Sequence, residues 1–133
     1  MSILRNPEGV VAALRRSPFR RKFRLSSTER EYLREHGLGA LLARARELVS
    51  QHLAPAAPIN DGQQTPFRGD PIYVAQHGTA TCCRRCLQKW HHIPTGQVLS
   101  ADEENYIVSI ITNWLQTQTR VPPGSANLTP TAA

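Results

Sequence analysis

The sequence predicts a small, mainly α-helical domain (a small α+β fold) of about four helices with one short extended segment. Two capping boxes, Ser26-x-x-Glu29 and Ser100-x-x-Glu103, indicate where helices begin. Between them, apolar residues recur every three or four positions over 38–53, which is the repeat of a helix with one buried face. The 133 residues are enough for one domain with a modest core.

The helices follow from these signals in chain order. The first begins after the Ser26 cap and ends at Gly37, which can adopt a left-handed C-terminal cap. The second ends before Pro55, and the last carries acidic residues in its first turn, where they favour the helix dipole. We therefore expect helices at about 28–36, 38–53, 81–91 and 101–118.

The segment between the second and third helices changes character. Residues 54–71 contain four prolines and two glycines, which predicts a loop. A loop of this length is often functional, and its Asp61 and Arg68 are candidates for positioning a substrate. The apolar run that follows predicts a short extended segment at about 72–76.

These elements suggest three parts of the chain. Residues 1–25 form a basic N-terminal arm in which prolines interrupt helical structure, and residues 26–118 form a single globular domain. Residues 119–133 have little apolar surface to bury, so we expect a disordered tail.

The composition excludes a membrane protein. No apolar run approaches the roughly 18–20 residues that a bilayer-spanning helix needs, and no signal-peptide core is present. All three cysteines lie within residues 82–86, which favours a reducing compartment over a disulfide framework. We expect a soluble, cytoplasmic protein.

The net charge of +6 is concentrated near the start of the sequence. Residues 1–24 contain seven basic side chains and a single acid, Glu8. Such a basic arm indicates contact with nucleic acid or another polyanion, although it could also be only a solubilising surface. The candidate nucleic-acid-binding residues are Arg15, Arg16, Arg20, Arg21, Lys22, Arg24, Arg84 and Arg85.

The cysteines and three of the five histidines lie together in residues 77–92. Thiolate and imidazole are the ligands that hold zinc, and Cys83-x-x-Cys86 has the spacing of half a zinc site. His77 precedes this pair, and His91 or His92 follows it. One segment could therefore supply four zinc ligands.

Helical geometry separates the adjacent cysteines. On a helix, Cys83 and Cys86 share one face, whereas Cys82 and Cys83 point about 100° apart. We therefore favour Cys83 and Cys86, with Cys82 as a core residue or an alternate ligand. Zinc is the expected metal, because an iron–sulfur cluster normally takes four thiolates.

The site could be structural or catalytic. A closed site would stabilise a binding module, whereas a site with an open position would suit a small zinc-dependent hydrolase or nuclease. In the enzyme, His77, Cys83 and Cys86 bind the metal, and His91 or His92 acts as acid–base partner. A structural or protein-interaction domain is the third hypothesis.

Two longer patterns carry a family resemblance. They are Asn-Asp-Gly-x-Gln-Thr-Pro-x-Arg-Gly-x-Pro over residues 60–71, and a stretch over 75–94 with Cys-Cys-Arg-x-Cys-Leu and Trp-His cores. With them, residues 17–118 resemble a family of small bacterial proteins known only as a domain of unknown function. Its second pattern reads A-Q-H-A-T-A-T-C-C-R-x-C-L-x-x-W-H-x-I-P.

The resemblance implies a bacterial cytoplasmic protein but no activity. In the family pattern the position of His92 is variable, which favours His91 as the functional histidine. The resulting ligand set is His77, Cys83, Cys86 and His91, with Cys82 and His92 as alternates. This chain has Gly78 where the pattern has Ala, and Asp70 where some members have His.

Overall fold

The structure, a computed structural model, describes residues 4–119. Within that range there are seven α-helices and no strand, and a π-helical segment, Val49–Leu53, continues the fourth helix. The prediction of about four helices with an extended segment is therefore wrong. The helices are α1 (Pro7–Arg15), α2 (Pro18–Arg21), α3 (Ser27–His36), α4 (Leu38–Leu48), α5 (Pro71–Gly78), α6 (Arg84–His91) and α7 (Ala101–Thr119).

The four predicted helices correspond to α3, α4 with its π-helical extension, α6 and α7. Both capping boxes form. The Ser26 amide donates to Glu29 at 2.8 Å, and the Ser100 amide donates to Glu103 at 2.8 Å. The predicted starts were reliable here because these contacts are local to the sequence.

The three helices that were not predicted all begin with a capping residue followed by proline. Asn6, Ser17 and Asp70 each accept a hydrogen bond from a backbone amide of the first turn. Proline then occupies the first helical position, where its missing N–H leaves no helical hydrogen bond unmade. The prolines at 7 and 18 therefore start helices rather than break them.

Helix α5 occupies the place of the predicted extended segment at 72–76. Ile72, Val74 and Ala75 are completely buried. A short apolar run that is buried on all sides shows no helical periodicity, so its pattern resembles that of a buried strand. The Asp70 side chain accepts from the Ile72 amide at 2.8 Å and sets the helical start.

Helix α7 forms the centre of the core. It packs against α4 and α5, and α5 also contacts α2 and α3. The buried side chains of α7 are mainly aliphatic, and they meet Leu41, Ala45 and Leu53 in one apolar cluster. This arrangement places the C-terminal end of α5 and the start of α6 beside the N-terminal helices.

The basic segment packs on the rest of the chain through α1. Val10 and Leu14 are buried in a small cluster with Ala80, against which Cys86 and Trp90 pack. The N-terminal helices thus lie directly over the cysteine segment. The predicted disordered tail, 119–133, lies outside the described residues apart from position 119.

Candidate metal centre

The connection between α5 and α6 brings the three cysteines together. Cys82 lies in a bend, and Cys83 is the N-cap residue of α6 with extended φ and ψ of −160° and 168°. Cys86 lies in the first turn of the helix. The prediction that Cys82 and Cys83 diverge on one helix is wrong, because the helix begins only at Arg84 and both sulfur atoms lie next to that of Cys86.

The three thiol sulfur atoms form a compact triangle. Cys86 Sγ lies 3.6 Å from Cys82 Sγ and 3.3 Å from Cys83 Sγ, and all three lie within 4.8 Å of one another. Thiolates around a tetrahedral zinc, each about 2.3 Å from the metal, lie about 3.8 Å apart. A disulfide needs about 2.05 Å. These free thiols therefore have the spacing of ligands to a single ion.

Arg20 contacts this triangle from α2. Its guanidinium donates to Cys86 Sγ at 3.1 Å, to Cys82 Sγ at 3.7 Å and to the His77 carbonyl oxygen at 2.9 Å. Hydrogen bonds from Cys82 and Cys83, with the charge of Arg20, hold the pKa of Cys86 below its usual range. Arg20 is only 9% exposed, so this predicted nucleic-acid contact faces the thiols instead.

His77 lies near the thiols at the end of α5. Its Nε2 is 3.0 Å from the Thr65 carbonyl oxygen, so Nε2 carries the hydrogen and Nδ1 of the neutral ring keeps a lone pair. Burial lowers the pKa of His77, which favours the neutral, metal-binding form. Phe67 stacks on the ring at 4.2 Å between centroids.

His91 and His92 occupy different environments. His91 is completely buried; its Nε2 donates to the Thr79 carbonyl oxygen and its Nδ1 accepts from the Tyr106 hydroxyl, both at 2.8 Å. His92 is exposed and ends α6 in the left-handed conformation. Among the described residues, the predicted ligands whose ligand atoms lie within 4.8 Å of one another are Cys82, Cys83 and Cys86. The group contains none of the predicted histidines.

Acidification is expected to destabilise the fold through His91. Burial, reinforced by the positive charges of Arg5 and Arg20, lowers the pKa of His91 to about 4. The neutral ring therefore contributes its full stability above the unfolded-state pKa of about 6.5, and this contribution is lost as the pH falls towards 4. By about pH 5 the loss should reach about 2 kcal/mol.

Urea unfolding of metal-free protein at about pH 7.5 and pH 5 measures this loss. Removing the metal prevents ligand protonation from contributing. A His91→Gln variant lacks the titrating ring and should lose about 2 kcal/mol less between the two pH values. His77 shifts in the same direction, but it is present in both proteins. An equal loss of stability in the His91→Gln variant would show that His91 is not the source of the pH dependence.

The loop residues Asp61 and Arg68 both make contacts that hold the fold. Asp61 accepts from the Arg84 backbone amide at 3.0 Å and so caps the start of α6. Arg68 donates to Glu29 and to the Arg24 carbonyl oxygen, each at 2.8 Å. These contacts tie the loop to α6 and α3.

Thr65 is a further loop residue at the site, and it was not predicted from the sequence. Its hydroxyl donates to the Cys82 carbonyl oxygen at 2.9 Å, and its own carbonyl oxygen faces His77. The Thr-Pro pair at 65–66 belongs to the first family-like pattern, but nothing in its spacing relates it to the cysteines. Arg20 likewise carried no signal for a contact with thiols, because it lies 62 and 66 residues from its sulfur partners.

The predicted nucleic-acid-binding residues fall into two groups. Arg84 is 1% exposed and donates to backbone carbonyl oxygens, including those of Leu53 at 3.0 Å and Gln97 at 2.6 Å. Arg20 is also buried. The exposed group consists of Arg15, Arg16, Arg21, Lys22, Arg24 and Arg85.

Among the described helices, none combines the length and the apolar character needed to span a membrane. The family described as "Domain of unknown function (DUF4186)" matches residues 8–116, so the chain belongs to that family. The match begins earlier than the residues that carry the resemblance in the sequence, and it includes most of α1. No solved structure matches the chain.

Proposed function

We propose that this member of the DUF4186 family is a zinc-binding protein whose ligands include Cys82, Cys83 and Cys86. The observation that carries the proposal is the triangle of sulfur atoms, in which Cys86 Sγ lies 3.3 and 3.6 Å from the other two and all three lie within 4.8 Å of one another. Three thiolates favour zinc over the hard cations, which take oxygen ligands. The cysteines come from the connection between α5 and α6 and from the first turn of α6, so a bound metal would fix the start of α6 to that connection.

The charge around the thiols supports the proposal. Three thiolates and one Zn²⁺ carry a net charge of −1, which is unfavourable in a buried site unless a cation lies nearby. The Arg20 guanidinium supplies that cation and donates to two of the sulfur atoms. Such an outer contact is typical of metal sites, where it orients the ligand and tunes its basicity.

His77 is the histidine best suited to complete the site. Its Nε2–H is held by a backbone carbonyl oxygen, which is the usual arrangement of a metal-ligating histidine, and its Nδ1 keeps a lone pair. Both ring nitrogens of His91 are already hydrogen-bonded inside the core. The contacts of Asp61 and Arg68 within the fold favour a binding module over a hydrolase, because neither side chain is reserved for a substrate.

Metal analysis of the full chain, purified without a histidine tag, tests the zinc proposal. We expect about one zinc per chain, and Co²⁺ replacement should give the intense absorption of a thiolate-bound metal. The Cys83→Ser/Cys86→Ser variant should lose both signals, whereas His92→Ala should retain them because His92 is an exposed cap residue. Zinc that survives in the double cysteine variant would refute the proposed ligands.

A second candidate function, nucleic-acid binding, is supported by the exposed cations of residues 15–24. The ion pairs Arg34–Glu31, Arg44–Asp70 and Arg68–Glu29 of the described residues involve none of these cations. Lys22 and Phe19 lie together, with the ammonium 4.7 Å from the ring centroid. Binding through such a surface should weaken steeply with salt.

A further inference from the structure

A groove of about 1030 Å³ separates the N-terminal helices from the C-terminal half of α7. One wall is formed by α1, α2, α3 and the connection between α2 and α3, and it carries all six arginines of the lining. The opposite wall is α7, with amide and hydroxyl side chains. The groove arginines are Arg15, Arg20, Arg21, Arg24, Arg30 and Arg34. Arg20 is buried against the thiols, so the five exposed arginines are the ones available to a ligand.

No acidic residue lines this groove, although the chain has ten of them. Arg34 pairs with Glu31 at 3.1 Å, but both side chains are more than half exposed, so the pair is weak. Within the described residues the other groove arginines have no carboxylate partner. The lining therefore selects for an anion.

The groove also offers surfaces for an unpaired base. The half-buried Trp114 lines it together with the exposed amides of Asn113 and Gln116, whereas the lining residues Phe23 and Leu33 are buried. The Trp114 indole nitrogen lies 2.8 Å from where a side chain at Gly78 would begin, so the missing Cβ is what lets the indole lie there. Aromatic and amide groups beside a row of cations suit a ligand that alternates phosphates with bases.

We propose that this groove binds single-stranded nucleic acid, an inference that rests on the proposed nucleic-acid binding and gives it a site. Phosphates contact the exposed arginines of this wall while a base stacks on the half-buried Trp114. A duplex keeps its bases stacked inside, so it can use the arginines but not the apolar lining. The exposed cations Arg16 and Lys22 lie outside the lining and extend the positive surface along which a strand would continue.

Residues 120–133 are a poorer match for the groove. They follow directly from Thr119, which lines it, but they contain one arginine and no acidic side chain. They therefore lack the negative side-chain charge that would complement the arginine wall. The groove's chemistry favours a phosphate-bearing partner over this segment.

Fluorescence anisotropy of a labelled oligonucleotide, single-stranded or in a duplex of the same sequence, tests the inference on the full chain. We expect tighter binding of the single strand. Arg30→Gln/Arg34→Gln should weaken it at least about tenfold at low salt and make the log–log salt slope shallower by about 1.4. Trp114→Leu should weaken the single strand by about tenfold and leave duplex binding unchanged.

Two matched controls separate the groove from the arm. Arg46→Gln/Lys89→Gln removes two exposed cations outside the groove and should have a smaller effect than the groove pair. If Arg16→Gln/Lys22→Gln weakens binding and the groove variants do not, the arm binds nucleic acid and the groove inference is overturned. The groove inference is also overturned if the duplex and the single strand bind equally, or if residues 120–133 occupy the groove. No binding of either form would refute nucleic-acid binding itself.

Discussion

Replacing Arg84 with alanine is expected to lower the free energy of unfolding by about 3 kcal/mol or more. One guanidinium nitrogen donates to the carbonyl oxygens of Leu53 and Pro55, and the other to those of Pro94 and Gln97. Alanine would leave a cavity and several carbonyl groups without their donor. Domains are typically stable by only about 5–15 kcal/mol, so the loss is a large share.

Urea unfolding monitored by circular dichroism measures this effect. Arg85→Ala is the matched control, because Arg85 is the neighbouring arginine and is exposed; its loss should change stability by less than about 0.5 kcal/mol. Arg84→Lys keeps the positive charge, but a single ammonium cannot donate to both pairs of carbonyl oxygens that the guanidinium contacts. It should therefore restore only part of the lost stability. Equal stability of Arg84→Ala and Arg85→Ala would show that the carbonyl contacts contribute little.

Replacing Arg20 with glutamine is expected to weaken zinc binding by about 10- to 100-fold. The guanidinium donates to the sulfur atoms of Cys82 and Cys86 and offsets the negative charge of a tri-thiolate zinc site. Glutamine is of similar length and can still donate a hydrogen bond, but it carries no charge. The variant therefore isolates the electrostatic part of the contact.

Competition with a chromophoric zinc chelator gives the two affinities. Arg21→Gln is the matched control, since Arg21 adjoins Arg20 in sequence but is exposed, and its replacement should leave zinc affinity unchanged. Arg20→Lys should recover part of the affinity because it restores the charge. If Arg20→Gln binds zinc as tightly as the natural chain, then the guanidinium does not act on the metal.

Three helix starts were present as local sequence signals but were not predicted as helices. Asn6-Pro7, Ser17-Pro18 and Asp70-Pro71 have the same order, a capping side chain and then proline, and each starts a helix. A proline inside a short basic arm predicts a break in helical structure, yet at the first helical position proline is favourable. The segment at 72–76 was missed for a different reason, because full burial removes the periodicity that distinguishes a helix from a strand.

The Ser-x-x-Glu caps predicted two helix starts, and the spacing of the cysteines located the cluster, since these signals span only a few residues. The side chains that face the cluster depend on long-range packing, which no local pattern contains. Arg20 is brought to Cys86 across 66 positions, and the Arg84 guanidinium donates to the carbonyl oxygens of Leu53 and Gln97 inside the fold. The sequence does not show whether a charged side chain contacts solvent, thiols or backbone. Its partner depends on how helices that are far apart in the chain pack together.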